Sequence, residues 1–157
     1  MNKSNTCCFI GHRKIKETEE LKGKLFEIIE TLIVEKKVDT FLFGSKSGFD
    51  DLCYDVVDVL KGKYTYIKRI FVRAEYPNIS EEYRQYLLQS YEDTYYPKSV
   101  LGANRAVYVK RNHEMIDNSC YCVFYCNENF APKTRESGTK IALDYAKRKK
   151  KEIIVIT

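Results

Sequence analysis

The sequence predicts an α/β fold: a Rossmann-like, doubly wound, mainly parallel sheet with helices on both faces. Three observations lead there. Short apolar runs, "TCCFI", "TFLF", "CYCVFYC" and "IIVI", recur along the chain. Stretches with apolar residues at helical spacing separate them. The connections are short, as right-handed crossovers require. Strands apolar at every position are buried on both sides, and a parallel sheet covered by crossover helices buries them. The 157 residues suffice for one core, with no linker, repeat or low-complexity stretch, so 1–157 reads as a single domain.

The elements follow in order. Thr6 to Ile10 is a first buried strand. Glu17 to Lys37 is a helix, with Leu21, Leu25, Ile28, Ile29 and Leu32 on one face. Thr40 to Phe43 is a second strand. Leu52, Cys53, Val56, Val57 and Leu60 line a second helix that stops near Gly62. "YIKRIFV", Tyr66 to Val72, alternates as a third strand. Ser80 to Tyr91 is helical, with Ser80 as cap and Glu81 and Glu82 in the first turn. Tyr91 to Ala103 reads as a loop, "AVYV" as a short strand and "RNHEMIDN" as a short helix. "CYCVFYC" is a continuous apolar strand. "SGTKIALDYAKRKKK" is a helix with Ile141, Ala142, Tyr145 and Ala146 on one face, and "IIVI" is the last strand.

Composition excludes several classes. No apolar run approaches the ~20 residues of a membrane span, and the N-terminal apolar stretch is too short for a signal peptide. A cytoplasmic protein is expected. The net charge of +5 permits an anionic ligand without demanding nucleic acid. The one basic cluster, Lys147 to Lys151, fits a helix C-terminus, where cations complement the macrodipole. The six cysteines include no CxxC pair, so a zinc site is not expected. They read as reduced core residues. No metal and no cofactor is expected.

In such a fold, ligands bind outside the carboxyl ends of the strands. Four segments there carry distinctive chemistry. Gly11, His12 and Arg13 follow the first strand, where a glycine lets the chain turn or approach a ligand closely. "GSKSGFDD" follows the second, and its Gly44, Ser45 and Gly48 resemble a phosphate cradle at a helix start. Asp50 either accepts from ribose hydroxyls or caps that helix. In "RNHEMID", Met115 and Ile116 face the core, whereas Arg111, Asn112 and Asp117 cannot all do so cheaply. Asn112 is read as a cap, and Arg111 as a partner for phosphate, Asp50 or Asp117. Ser137, Gly138 and Thr139 open the last helix, a further anion-ready start.

Taken in order, "GHR", "GxxxGFD", "RNxxMID", "SGTKIALDYAKR" and the final "IIVI" resemble the SLOG superfamily, named for its Smf/DprA and LOG members. The likeness is to its small stand-alone YpsA-like branch, and it runs from residue 7 to 156. It implies a Rossmann-like domain that binds nucleotides or nucleotide-derived ligands. Some relatives hydrolyse nucleoside monophosphates. Others are thought to sense signals derived from NAD or ADP-ribose, including in anti-phage systems. Carried over, the resemblance puts Gly11 to Arg13 at the base or ribose end and Ser137 to Thr139 on phosphate. Gly44, Ser45, Gly48, Asp50, Arg111, Asn112 and Asp117 would face the same crevice.

The sequence departs from the hydrolase pattern. LOG-type enzymes have a PGGxGT loop followed by a Glu, whereas Lys140, Ile141 and Ala142 stand here. Asp144 is the first acid, on the exposed face. A glycosidase needs a carboxylate beside the anomeric carbon. Glu75, Glu114, Glu128 and Asp50 are all open to that role. Binding without turnover is therefore expected ahead of N-glycoside hydrolysis. Nucleic-acid binding through "KRKKK" and the tyrosines ranks third. The expected partners are a nucleotide-derived small molecule and a second copy of the chain, with no membrane. Tyr91, Tyr95 and Tyr96 form either a lid over a base or a stretch packing its own aromatics.

Overall fold

The computed structural model describes residues 1–127 and 137–157. Six strands form one sheet: β1 (Thr6–Gly11), β2 (Thr40–Phe43), β3 (Lys68–Val72), β4 (Asp93–Tyr95), β5 (Tyr121–Tyr125) and β6 (Glu152–Ile156). The described helices are α1 (Glu19–Val34), α2 (Gly48–Lys63), α3 (Glu81–Leu87), α4 (Val107–Asp117) and α5 (Gly138–Arg148), with short 3-10 turns between some of them. The strand order is β4-β3-β2-β1-β5-β6, and every pairing is parallel. The chain thus winds outward from β1 to β4, then returns to place β5 on the other side of β1. The order reverses between β1 and β5, and their carboxyl ends flank the crevice such a reversal creates.

Alternating side chains sort the sheet onto two cores. Cys7, Phe9, Phe41, Phe43 and Val123 face Leu25, Ile29, Leu52 and Val56 of α1 and α2. Their neighbours Cys8, Ile10, Leu42, Cys122 and Phe124 face Met115, Ile116, Ala142 and Ala146 of α4 and α5. Helices cover both faces, and that is why these strands are apolar at every position. Phe9 lies flat on Phe41, with ring centres 5.7 Å apart. Four cysteines, Cys7, Cys8, Cys53 and Cys122, are buried, and Cys120 and Cys126 are half-buried.

The helix starts carry the expected caps. Ser80 accepts from the Tyr83 N–H and Ser137 from the Lys140 N–H. Thr18 caps α1, which begins two residues after Glu17 and ends before Lys37 takes a left-handed φ of 60°. The basic cluster ends α5, with Lys147 and Arg148 in its last turn. Among the described residues no helix is long and apolar enough to cross a membrane.

Three expectations need correction. The stretch from Tyr91 to Ala103 is not only a loop: Asp93–Tyr95 adds strand β4 beside β3. Two of its tyrosines pack against the fold, the alternative to a lid. The Tyr91 ring stacks on Phe71 at 5.2 Å and packs on Tyr54 at 5.4 Å, and the half-buried Tyr95 hydroxyl accepts from Asn118. "AVYV" is not a strand either. Its last three residues open α4 and run unbroken into "KRNHEMID". No glycine, proline or turn residue separates the two, and packing of one helical face overrides the strand preference of two valines. Asn112, now a full turn inside α4, caps nothing.

Gly11 shows how tightly β1 meets α2. A Cβ there would lie 2.5 Å from Cγ of Phe49, which is 0% exposed. Gly11→Ala should cost roughly 1–3 kcal/mol through overpacking. At Gly23, in α1, a Cβ meets nothing within 4 Å, so Gly23→Ala should instead gain roughly 0.5–1 kcal/mol from helix propensity. Urea unfolding of both variants checks the contrast. Equal effects would remove the packing argument.

Candidate functional site

The carboxyl ends of β1 to β4 lead into loops on one edge of the sheet, and α4 begins above that edge. Its second turn lowers Arg111 onto the tip of β2. Arg111 is only 5% exposed. Its Nη1 donates to the carbonyl oxygen of Gly44, and its Nε donates to Asn112 Oδ1 at 3.1 Å. From the opposite side, Asp50 Oδ2 accepts from the N–H groups of Gly44 (3.3 Å) and Ser45 (2.9 Å). The turn after β2 is therefore clamped between a cation holding its carbonyl and a carboxylate holding its N–H groups. Gly44 admits this approach because it lacks a side chain: a Cβ would sit 2.5 Å from the Met115 sulfur and 2.6 Å from Arg111 Cδ.

Asp50 is not the cap of its helix. The cap of α2 is Ser47, whose hydroxyl accepts from the Asp50 N–H at 3.0 Å. Asp50 Oδ1 is buried and has no hydrogen-bond partner among the described residues. Burial pushes its carboxyl up to about 7, and the Gly44 and Ser45 N–H groups and the Arg111 charge hold it from rising further. Desolvation lowers the Arg111 pKa, which Asp50 partly restores.

The cradle is built, but its donors point inward. The N–H groups of Gly44, Ser45 and Asp50 are engaged as above, and the Gly48 N–H donates to the Arg13 carbonyl at 2.8 Å. Asp50, in the first turn of α2, accepts from two of these donors. The last bond also ties the loop after β1 to that helix.

On the other side of β1 the site continues at the strand reversal. His12 is 5% exposed, and its Nε2 accepts from the Asn127 N–H at 2.9 Å. Burial lowers its pKa, so the imidazole is neutral with Nδ1 carrying the proton. Its ring meets Tyr125 edge-on at 6.1 Å. Ser137 and Thr139 are buried at the start of α5, whereas a Cβ on Gly138 would meet nothing within 4 Å.

The same edge holds a further group, which the sequence motifs do not bring together. Tyr108, 49% exposed, lies against Arg111, whose guanidinium carbon is 5.6 Å from the ring centre. The Tyr108 hydroxyl donates to Glu75 Oε1 at 2.8 Å, and the charge of Arg13 reaches the same hydroxyl. Reading "AVYV" as a strand hid Tyr108. Its place three residues before Arg111 is the helical spacing that would have paired them.

Asp117 stands apart. It accepts from the Tyr145 hydroxyl at 2.8 Å, joining the last turn of α4 to α5. The chain then passes to Cys120, whose N–H donates to Thr6 at the amino end of β1. Asp117 thus belongs to the opposite edge of the sheet.

The remaining acids are occupied. Glu114 accepts from Ser99 and Asn118, and Asp144 pairs with Lys140 at 2.8 Å. Glu128 lies outside the described residues. No group of side chains among the described residues has the makings of a metal site. Comparison with models of known protein families and with curated proteins finds no match.

Proposed function

We propose that the protein binds a nucleotide or an NAD- or ADP-ribose-derived small molecule at the carboxyl edge of its sheet. It would act in the cytoplasm as a sensor or sequestering protein, in the manner of the SLOG superfamily's YpsA-like branch and in phage–bacterium defence or counter-defence. One observation carries this reading. Of the buried His, Asp and Arg side chains among the described residues, three, His12, Asp50 and Arg111, gather at this one edge. The other, Arg69, has a plain structural role, paired with Glu92 and Asp58 at 2.8 Å each. Buried charge contributes little to stability that apolar packing would not supply, and perturbed titratable groups concentrate at functional sites. Arg13, Arg111 and the start of α5 suit the phosphates of such a ligand.

Hydrolysis of a nucleotide N-glycosidic bond is the second reading, favoured by one feature. A carboxyl titrating near 7 is matched to general acid–base work. Burial of Oδ1 weighs against it, because a substrate has no access to that atom in this conformation. Binding therefore stands first.

A panel of nucleoside monophosphates, NAD, ADP-ribose and cyclic ADP-ribose decides, scored by thermal shift and by release of free base. A ligand at a hundred times its Kd should stabilise the fold by about 2.7 kcal/mol, with no base released. No shift from any member would overturn the proposal. Base release that disappears in Asp50→Asn would establish the hydrolase instead.

A further inference from the structure

We infer that Tyr108 is the platform on which the ligand's aromatic base stacks, with the Arg111 guanidinium as backing layer and Glu75 as anchor. The inference rests on the nucleotide reading above and deepens it. Tyr108 projects from the first turn of α4 at the carboxyl edge. Three loops converge on it, bringing Glu75 from β3, Arg13 from β1 and, through Arg111, the tip of β2. Its hydroxyl is held 2.8 Å from Glu75 Oε1, which restrains the swing of the side chain that a free tyrosine would lose on binding. Arg111 lies 5.6 Å from the ring centre and is itself held by Gly44. Tyr108 nevertheless stays 49% exposed.

A large aromatic surface that is immobilised yet left in solvent is what a stacking ligand needs. Arg13 and Arg111 add positive charge beside it, so the matching ligand has a flat base and an anionic group. Purine bases, with the larger stacking surface, should bind more tightly than pyrimidines. The exposed Glu75 carboxylate, beside the ring, can accept from an amino or hydroxyl group of the same ligand.

The chain contains no tryptophan, so Tyr108→Trp creates a single fluorescent reporter at this position. Two probes separate stacking from phosphate binding: ADP-ribose, which has a base, and ribose 5-phosphate, which does not. Titration calorimetry on Tyr108→Ala should show ADP-ribose weakened roughly tenfold or more, as loss of one stacked base implies. Ribose 5-phosphate should bind the variant and the parent alike. ADP-ribose should also quench the Tyr108→Trp emission. If ADP-ribose binds the parent and Tyr108→Ala equally, and the tryptophan does not respond, the platform is refuted while the nucleotide reading stands. If neither these probes nor any member of the nucleotide panel binds the parent, the nucleotide reading fails and takes the platform with it.

Discussion

Arg111→Met should destabilise the protein by about 3–5 kcal/mol near pH 8 and by clearly less near pH 5. Methionine keeps much of the buried stem but removes the charge and the donors. The Gly44 carbonyl then loses its partner beneath a side chain only 5% exposed, and Asp50 loses its cation. The two losses respond differently to pH. Arg111 lowers the pKa of Asp50, so their attraction exists only when that carboxyl is ionised, above about 7. Below that value Asp50 is neutral, and only the bond to the Gly44 carbonyl is missed. Urea unfolding at the two pH values measures both terms. Equal losses would mean that Arg111 acts through the carbonyl alone.

The clamp explains why the fold was more legible in the sequence than the site. A strand buried on both faces declares itself locally, because each of its residues must be apolar; "TCCFI" and "TFLF" could be little else. β4 was missed because a three-residue edge strand, with Asp93 exposed and only Thr94 buried, has no such run. Its pairing depends on β3, far away in sequence. Arg111 and Asp50 were both marked as polar residues at the ligand edge, and both are there. What sequence could not convey is that they meet through a backbone turn rather than through each other. That geometry follows from the crossing of α4 over β2, and from a glycine whose absent side chain leaves room for both Met115 and Arg111.

Asp117 shows the converse. Its motif placed it six residues from Arg111, but α4 runs down the sheet, so those residues carry it to the other edge and into a bond with Tyr145. Motif adjacency was mistaken for spatial adjacency. Gly11 had the right position and a different reason: it makes room for Phe49, and the close approach it permits is by the protein's own ring.

Asp50→Asn should flatten a pH dependence that the parent protein shows near neutrality. An unperturbed aspartate titrates at 3.8, whereas burial raises Asp50 to about 7. Between these values the folded protein holds a proton that the unfolded chain has released. Stability therefore falls as pH rises through this window, and levels off once the folded carboxyl has also ionised. At about 1.4 kcal/mol per pH unit, the full loss is on the order of 4 kcal/mol. Asparagine keeps an oxygen to accept from the Gly44 and Ser45 N–H groups and has no proton to lose. The variant should match the parent near pH 4 and exceed it near pH 8, so the difference between their two curves isolates Asp50 from every other group. A difference independent of pH would show that Asp50 is ionised throughout. The same substitution should soften the Arg111→Met defect near pH 8, because the cation then has no buried charge to offset. The double variant should lie above the sum of the singles, as expected for two residues joined through one turn.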